Sequence, residues 1–521
     1  MKVSKILQFT FVLVVFLLFV KTDFRIINEL RCCQDDFDYY SHALTIAKDF
    51  DFDYSNQINS TSRFYVDGKV APIGFLGAGL LASPFLWVGT ILDSILGINQ
   101  DILTFEKLVY SFSSITYLFI SFFLIKRTFN INNDSYYYPL AYFGTGLAYF
   151  AFERYSMTHV YEVFTVSLIF YFTKKYYQFQ SNSNIYSILL PVAFLLAFLV
   201  RWTNYYIVFL PYIFYKLYFD EDSPNKLTKD YKFYLSSVTC FGIFGFLSKA
   251  IYGKLLFSPT YIYGAQNVAN NLTNELTNNL FNLILNFLKD VLNVMFTQEF
   301  GIIWFSPVLF IGFIMTLFNL IFCKKNKKIA HFLVFISFLQ CLFIVSIWNT
   351  TASSYGFRYL YSLIPLAFLI ISTHKKNKYD YFITKYLNYI SLFSLLSILF
   401  FETTPGTQLS LIPVTNSFGI EAAYSQPDYL SGYIESVFNL ESYLKIFATS
   451  MLGSIIFKVI ITIIGQELFL KYLDSLGSVS SNNDFLDLIN KIETITFDKF
   501  IFVILFSSLL IYFFNKKVLK N

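Results

Sequence analysis

A short acidic and aromatic stretch near the N-terminus carries the residue types that acid–base chemistry requires. Residues 35–42 read Asp-Asp-Phe-Asp-Tyr-Tyr-Ser-His. Three carboxylates within four residues repel one another, which raises the pKa of at least one of them and prepares it for proton transfer. The alternative is that Asp35 and Asp36 stabilise the first turn of a helix through its dipole. Spacing alone does not decide between these interpretations.

The surroundings of the carboxylates depend on whether this stretch is helical. In a helix, residues three and four apart share a face, so Asp36 lies beside Tyr39 and Tyr40, and Asp35 lies beside Tyr39. Either carboxylate would then sit next to an aromatic platform, and the choice of a base between Asp35 and Asp36 stays open. His42 is the one histidine of the stretch.

Isolated cations in apolar or aromatic surroundings are the second chemical feature. Arg201 follows Phe-Leu-Val, and Arg358 lies within Tyr-Gly-Phe-Arg-Tyr. An arginine at helix depth costs about 2.5–3.5 kcal/mol on insertion scales, so it is usually retained because it binds something. Snorkelling to the interface is the alternative. With Lys69, His159 and Tyr359, these arginines form a set suited to phosphate oxygens and sugar rings.

The composition predicts that membrane-spanning helices position these residues. Hydrophobic residues make up 55% of the chain and charged residues 14%, whereas a soluble protein carries about 25% charged residues. Runs such as 301–323 and 331–348 are nearly free of charge and approach the ~20 residues that cross a bilayer as a helix. By this criterion there are roughly eleven to thirteen such segments. The predicted fold class is an all-α, polytopic transmembrane helical bundle.

Clusters of lysine and arginine predict which side of the membrane each loop faces. The clusters begin at Lys2, Lys126, Lys174, Lys216, Lys324 and Lys375. Because short translocated loops rarely carry such clusters, they mark the cytoplasmic side and put the N-terminus in the cytoplasm. The loops predicted to face outside are about 21–104, 153–160, 201–203, 252–300, 348–357 and 402–448. All candidate site residues lie in or beside these outer loops.

The apolar segment 72–96 is expected to enter the membrane from outside without crossing it. If it crossed, Lys126 and Arg127 would lie outside, against the charge rule. Its prolines and glycines favour interfacial or re-entrant helices covered by protein. Residues 77–82 read Gly-Ala-Gly-Leu-Leu-Ala, which superficially fits a dinucleotide-binding pattern, but no strand precedes them. Small residues that allow close helix packing explain this stretch better. No nucleic-acid partner is expected.

Several motifs, in their order and topological placement, resemble those of the C-type superfamily of polytopic glycosyltransferases, which use polyprenyl-phosphate sugars. Residues 35–43 are similar to the acidic motif of that family's first outer loop. The similarity continues in a proline–glycine segment (72–74 and 80–85), a Gly…Ser-Pro helix start (300–307) and a Trp…Gly-x-Arg-Tyr-Leu…Pro element (348–365). The chain looks like the dolichyl-phosphate-mannose-protein mannosyltransferases and the aminoarabinose transferases within this superfamily.

This resemblance implies a division of the chain. Residues 1–370 would form a transmembrane glycosyltransferase module, in which the outer loop 21–104 is catalytic. Residues 371–521 would form a C-terminal transmembrane region with the outer loop 402–448. The expected location is a bacterial inner membrane, because the richness in Asn, Lys, Ile and Phe suggests an AT-rich genome.

The resemblance also implies a reaction, an inverting sugar transfer on the extracytoplasmic face. Asp35 or Asp36 would act as the base, and many relatives have Asp-Glu at this point. Lys69, Arg201 and Arg358 would hold the lipid phosphate. The remaining candidate substrate-binding residues are Tyr39, Tyr40, His42, His159 and Tyr359. The acceptor could be a lipid, a glycan or a protein, and membrane lipids surround the enzyme. No cofactor is expected: a divalent metal serves some branches, but no second acidic pair supports one here.

Two other classes of polytopic protein are alternatives. A flippase or secondary transporter of lipids or sugars would show two matching halves with paired broken helices, and no internal repeat is visible. An O-antigen ligase or polymerase would resemble its relatives in a late outer loop that bears arginine and histidine. The segment 403–447 contains neither residue.

The charge pattern yields a test of topology. We expect cysteines introduced at Asn59 and Asn271 to react with a membrane-impermeant reagent from outside, and cysteines at Asn133 and Asn326 to react only from the cytoplasmic side. Labelling that put Asn326, within the lysine cluster 324–328, on the outside would reverse the whole arrangement, because every candidate site residue would then change sides.

Overall fold

Apolar helices dominate the computed structural model, as the long hydrophobic runs of the sequence require. The structure describes residues 2–21, 34–57, 65–66, 69–72, 74–97, 104–131, 137–178, 183–219, 226–253, 255, 280–348, 355–373, 380–404, 408–411, 429–439, 443, 446–447, 450–465, 467–468, 471 and 496–516. Asn59, Asn133 and Asn271 lie outside these residues, so the topology test stays a prediction.

The helices follow one another along the whole chain. They are α1 (Lys2–Lys21), α2 (Gln34–Leu44), α3 (Gly77–Leu96), α4 (Phe105–Phe129), α5 (Tyr137–Phe143), α6 (Gly146–Phe152), α7 (His159–Gln178), α8 (Ser183–Arg201), α9 (Leu210–Phe214), α10 (Tyr231–Tyr252), α11 (Leu280–Phe296), α12 (Ile302–Phe305), α13 (Pro307–Phe322), α14 (Lys328–Trp348), α15 (Ile364–Thr373), α16 (Asp380–Ser397), α17 (Tyr429–Phe438), α18 (Met451–Ile464) and α19 (Phe497–Phe514). A π-helical turn, Thr45–Asp49, extends α2, and 3₁₀ turns cover Tyr205–Phe209, Arg358–Leu363 and Ile398–Phe400.

Among the described residues, six helices are long and apolar enough to cross a membrane by length and composition, and five shorter helices are also apolar. Their surfaces fit a bilayer. On α10, large apolar side chains such as Leu235, Val238 and Phe241 are exposed, whereas α7 is buried along most of its length. An apolar helix face outside the bundle is stable where lipid covers it. The protein is therefore an all-α polytopic membrane bundle, as predicted.

Contacts at the two ends of α4 join it to segments predicted to lie on opposite sides of the membrane. At its start, Glu106 Oε1 accepts from Tyr40 Oη at 3.0 Å. At its other end, Lys174 Nζ donates to the carbonyl oxygen of Arg127 at 2.8 Å and to Asn130 Oδ1 at 2.7 Å. Which end faces outside stays a prediction.

Helix α3 packs beside only the first half of α4. Near the end of α3, the Asp93 carboxylate accepts from the backbone N–H groups of Phe105 and Glu106, both at 2.8 Å. Near its start, the Leu81 carbonyl accepts from Tyr117 Oη at 3.2 Å. The two helices are thus antiparallel from the start of α4 to its middle. Helix α3 is one unbroken helix and is one of the six that are long and apolar enough to cross a membrane, so its entry from outside without crossing stays a prediction.

The described strands form two short antiparallel hairpins. Strands β1 (Tyr65–Val66) and β2 (Lys69–Val70) pair with Val66 opposite Lys69. Strands β3 (Phe401–Thr404) and β4 (Gln408–Leu411) pair with Phe401 opposite Leu411. Both hairpins belong to segments predicted to be outer loops.

Helices on either side of residue 370 pack into one core. Ser394 Oγ on α16 donates to the carbonyl oxygen of Phe305 at 2.9 Å. Phe506 on α19 stacks on Phe112 on α4, with ring centroids 4.1 Å apart. The division into residues 1–370 and 371–521 stays a prediction, and the described C-terminal helices contact the first part directly.

Candidate active site

A small polar cavity, at the end of the bundle predicted to face outside, brings together residues that are far apart in the sequence. Its volume is about 30 Å³, which suits about two water molecules. It is lined by Asp35, Tyr39, Gly74, Met157, Thr158, Arg201, Arg358 and Tyr359. Five of the residues singled out in the sequence therefore share one cavity: Asp35, Tyr39, Arg201, Arg358 and Tyr359.

Helix α2 presents its two acid–tyrosine pairs to different surroundings. Residues four apart share a face, and Asp35 with Tyr39 lines the cavity. The pair Asp36 and Tyr40 faces other helices, since Asp36 binds Arg154 and Tyr40 binds Glu106 on α4. Tyr40 does not line the cavity.

Asp36 is held in a buried ion pair. Its Oδ2 atom lies 2.6 Å from Nη2 of Arg154, and both side chains are at most 5% exposed. Burial raises the pKa of Asp36, and the Arg154 guanidinium opposes that rise. Removing one partner of such a pair leaves an uncompensated buried charge, which is strongly destabilising.

Arg201, at the end of α8, is fixed by a buried carboxylate. Its Nη1 atom donates to Glu162 Oε1 at 2.7 Å, and Asn204 Nδ2 donates to the other carboxylate oxygen at 3.0 Å. The guanidinium carbon lies 4.2 Å from the centroid of the Tyr359 ring. Arg201 is thus oriented by an ion pair and by a cation–π contact before any ligand binds.

Arg358 approaches the same ring, and its positive charge also acts on the carboxylate of Asp36. Its guanidinium carbon lies 5.4 Å from the Tyr359 centroid. Its Nε atom is buried and has no hydrogen-bond partner in the described part of the chain. Gly356, two residues earlier, has a φ of 69° in the left-handed region that favours glycine. A buried guanidinium N–H group without a partner is costly, so an anion in the cavity would satisfy it.

His42 anchors α2 to the loop that closes the cavity. Its Nε2 atom donates to the carbonyl oxygen of Gly74 at 2.7 Å, and its Nδ1 atom accepts from Tyr54 Oη at 2.7 Å. Tyr252 Oη donates to the same Gly74 carbonyl at 2.8 Å. Burial lowers the pKa of His42 to about 4, so the ring is neutral. Both ring nitrogens are occupied, and His42 does not line the cavity.

Glycines on α3 allow the helices around the cavity to approach closely. A Cβ atom at Gly77 would collide with the backbone of Leu199 and Val200, just before Arg201. A Cβ atom at Gly79 would collide with His42 on α2. The small residues of 77–82 therefore serve close helix packing, as predicted.

Two further candidate residues are His159, whose Nδ1 atom lies 3.5 Å from Nη1 of the cavity residue Arg201, and Lys69. His159 is fully buried, and its Nδ1 atom lies 3.1 Å from Glu162 Oε1. Its ring packs against Phe150, 4.6 Å between centroids, and does not line the cavity. Lys69 pairs through its backbone with Val66, and its side chain lies outside the described residues.

Sequence reasoning did not assign a role to Arg154 and Glu162. Each forms an ion pair with a candidate residue: Arg154 pairs with Asp36, and Glu162 pairs with Arg201. The available signal was a group of charges, 153–162, between two apolar helices. Over the described ranges, no group of three or more His, Cys, Asp or Glu residues could hold a metal ion.

A second, apolar groove is lined by a residue next in sequence to the cavity residue Arg201. It lies between α8 and α10, has a volume of about 620 Å³, and is lined by Pro191, Phe194, Leu195, Phe198, Trp202, Tyr205, Val208, Pro211, Tyr212, Leu227, Phe233, Ser237, Cys240, Phe241 and Phe244. Arg201 lines the cavity, and the next residue, Trp202, lines the groove. From Pro191 to Trp202 the groove follows α8 for about 16 Å, at 1.5 Å per residue.

The sequence matches no protein-family model and no curated protein. Among solved structures it is similar to the archaeal oligosaccharyltransferase AglB from Archaeoglobus fulgidus in complex with an inhibitory peptide and a dolichol-phosphate, at 11% identity and a TM-score of 0.43, over 77% of this chain and 56% of that one. The Archaeoglobus fulgidus oligosaccharyltransferase in complex with Zn and sulfate gives 14% identity and a TM-score of 0.41, over 81% and 53%.

The chain spans little more than half the length of these solved structures. They are C-type glycosyltransferases, the superfamily that the sequence motifs resemble. With TM-scores below 0.5, the likeness carries no argument about activity, which must come from the side chains of the cavity.

Proposed function

We propose that the protein is a membrane glycosyltransferase that transfers a sugar from a polyprenyl-phosphate donor to an acceptor at the extracytoplasmic face. One observation carries the proposal: a carboxylate, Asp35, shares a cavity with Arg201 and Arg358, and both arginines contact the ring of Tyr359. A base beside two guanidinium groups suits a reaction that removes a proton and releases a phosphate.

The proposed chemistry is a single displacement with inversion. The acceptor hydroxyl or amine attacks the anomeric carbon, and Asp35 takes its proton as the new glycosidic bond forms. The bond from the anomeric carbon to the phosphate oxygen breaks, and its electron pair leaves with the lipid phosphate. Arg358 and Arg201 stabilise the charge that grows on this phosphate.

We assign the base to Asp35 rather than Asp36. Asp35 lines the cavity, whereas Asp36 is engaged by Arg154 at 2.6 Å. A carboxylate in a buried ion pair would have to leave a guanidinium without a partner in order to accept a proton, and that is unfavourable. Asp36 instead holds α2 in place. Tyr39, in the same cavity, supplies an aromatic surface for the sugar.

The apolar groove supports a lipid-linked donor. Trp202, which lines the groove, directly follows Arg201, which lines the cavity, so we propose that one ligand with a phosphate head and a long apolar chain occupies both. Apolar and aromatic side chains dominate its lining. Each buried CH₂ group contributes about 0.8 kcal/mol, and a polyprenyl chain has many. A bacterial inner membrane, a cytoplasmic N-terminus and a lipid, glycan or protein acceptor belong to the same proposal.

Replacing Asp35 should remove activity while the protein still folds. We expect Asp35→Asn to reduce transfer by about 10²- to 10⁴-fold, the usual effect of losing a general base. Its membrane abundance should stay normal. Asp36→Asn should instead lower abundance, because Arg154 loses its buried partner. The measurement is the glycan that the gene restores to a deletion strain, quantified by mass spectrometry together with the amount of protein in the membrane.

Asp51→Asn is the matched control, because Asp51 is an exposed carboxylate in the same outer segment and should leave transfer unchanged. Near-normal transfer by a normally abundant Asp35→Asn protein would refute the proposed mechanism.

Replacing Arg358 should weaken use of the donor. We expect Arg358→Ala to lower kcat/KM for the donor by roughly 10- to 100-fold, the effect of losing hydrogen bonds to a charged group. Arg358→Lys should lose less, because lysine keeps the charge but not the planar two-point contact. Arg127→Ala, at the opposite end of the bundle, is the control. Equal donor kinetics for the wild type and both Arg358 variants would show that Arg358 does not bind the donor.

Filling the groove with a larger side chain should raise the KM only for donors with a long isoprenoid chain. We expect Ser237→Trp to raise the KM for a donor with a full-length isoprenoid chain by about tenfold or more, since several CH₂ groups lose their site. The KM for the same sugar phosphate on a short isoprenoid chain should not change. Val238→Trp, on the exposed side of α10, is the control. An unchanged ratio of the two KM values would exclude the groove as the site of the lipid chain.

A further inference from the structure

Two consecutive residues, Glu153 and Arg154, form buried ion pairs with two different helices. Glu153 Oε1 lies 3.2 Å from Nζ of Lys21, the last residue of α1. Arg154 Nη2 lies 2.6 Å from Oδ2 of Asp36 on α2. All four side chains are at most 5% exposed. The dipeptide thus connects the end of α1 to the helix that carries Asp35.

Lys21 also holds the start of the hairpin formed by β3 and β4, which we call the outer hairpin (401–404 and 408–411). Its Nζ atom donates to the carbonyl oxygens of Ile398, at 3.1 Å, and of Phe401. The buried Phe401 ring packs against Tyr355, with centroids 5.2 Å apart. Tyr355 lies three residues before Arg358. The base of the outer hairpin therefore contacts Lys21, which pairs with Glu153 beside Arg154, and also Tyr355, which lies close to Arg358 in the sequence.

The energetics of buried ion pairs indicate what these contacts do. Desolvating two charges can outweigh their attraction, so apolar residues of similar size often give equal or higher stability. Lys21 and Glu153 are therefore not explained by stability alone. Their geometric effect is specific, because Lys21 bonds at once to Glu153 and to two backbone carbonyls of the hairpin base.

We propose that Lys21 and Glu153 are positioning residues that tie the outer hairpin to the catalytic helix. They act through Arg154 and Asp36, which set the position of Asp35 in the cavity. A displacement of the hairpin base then moves the carboxylate relative to the arginines. The part of this proposal that concerns catalysis rests on the proposed function.

The test replaces the whole pair, so that no buried charge is left alone. We expect Lys21→Met with Glu153→Leu to keep normal membrane abundance, while kcat falls about 10- to 100-fold, the range for a misplaced catalytic group. The KM for the donor should change less than threefold, because Arg201 and Arg358 remain. If this variant does not accumulate, the double variant Lys21→Gln with Glu153→Gln, which keeps polar side chains at both positions, is compared with the wild type in the same way. Lys21→Arg should retain most of the activity.

A second measurement does not depend on catalysis. Hydrogen–deuterium exchange of the full-length protein should show faster exchange in both 401–404 and α2 in the double variant. Lys174→Met, which removes a buried lysine bonded to the Arg127 carbonyl and to Asn130 at the opposite end of the bundle, should change neither region. Wild-type protein without transfer activity would overturn the proposed function. The exchange data would still show whether the outer hairpin and α2 are structurally coupled. A stable double variant with normal kcat, or with faster exchange in the hairpin alone, would overturn the inference.

Discussion

The buried ion pair between Asp36 and Arg154 fixes the rotation of α2, and the rest of the site depends on that rotation. An isolated helix of 11 residues is marginal in water, so contacts with the bundle must determine how it lies. Successive residues of a helix are about 100° apart. Once Asp36 faces Arg154, Asp35 and Tyr39 must face the cavity. His42 and Gly74 hold the other end of the helix.

The two arginines of the cavity differ in what they can do for a ligand. Glu162 neutralises Arg201 and fixes its direction, whereas Arg358 has a buried N–H group without a partner among the described residues. A site with one oriented and one unsatisfied cation is prepared for an anion before the anion arrives, which is the arrangement that favours charge development in a transition state. Tyr359 keeps both guanidinium groups on one ring.

The sequence predicted the helical bundle better than the details of the site. Hydrophobic runs depend on local composition, so the membrane-spanning helices could be inferred, as could the close packing at Gly77 and Gly79. The choice between Asp35 and Asp36 could not, because both faces of α2 carry an acid and a tyrosine and both contact protein. Our assignment of the base to Asp35 rests on the pairing of Asp36 with Arg154, which lies 118 positions away, so this pairing is not a local property.

Two consecutive residues, Arg201 and Trp202, line two different sites. Arg201 belongs to a polar cavity and Trp202 to an apolar groove that opens between α8 and α10. A helix in lipid must keep its backbone bonded internally, and the groove is lined by side chains of α8 and α10 together with those of the 3₁₀ turn Tyr205–Phe209. Under the proposed function, a phosphate at the cavity would lead its chain along α8 and its apolar groove. Charge in the cavity and apolar surface in the groove would then act together on the two parts of an amphipathic donor, because neither the cavity nor the groove alone accommodates both parts.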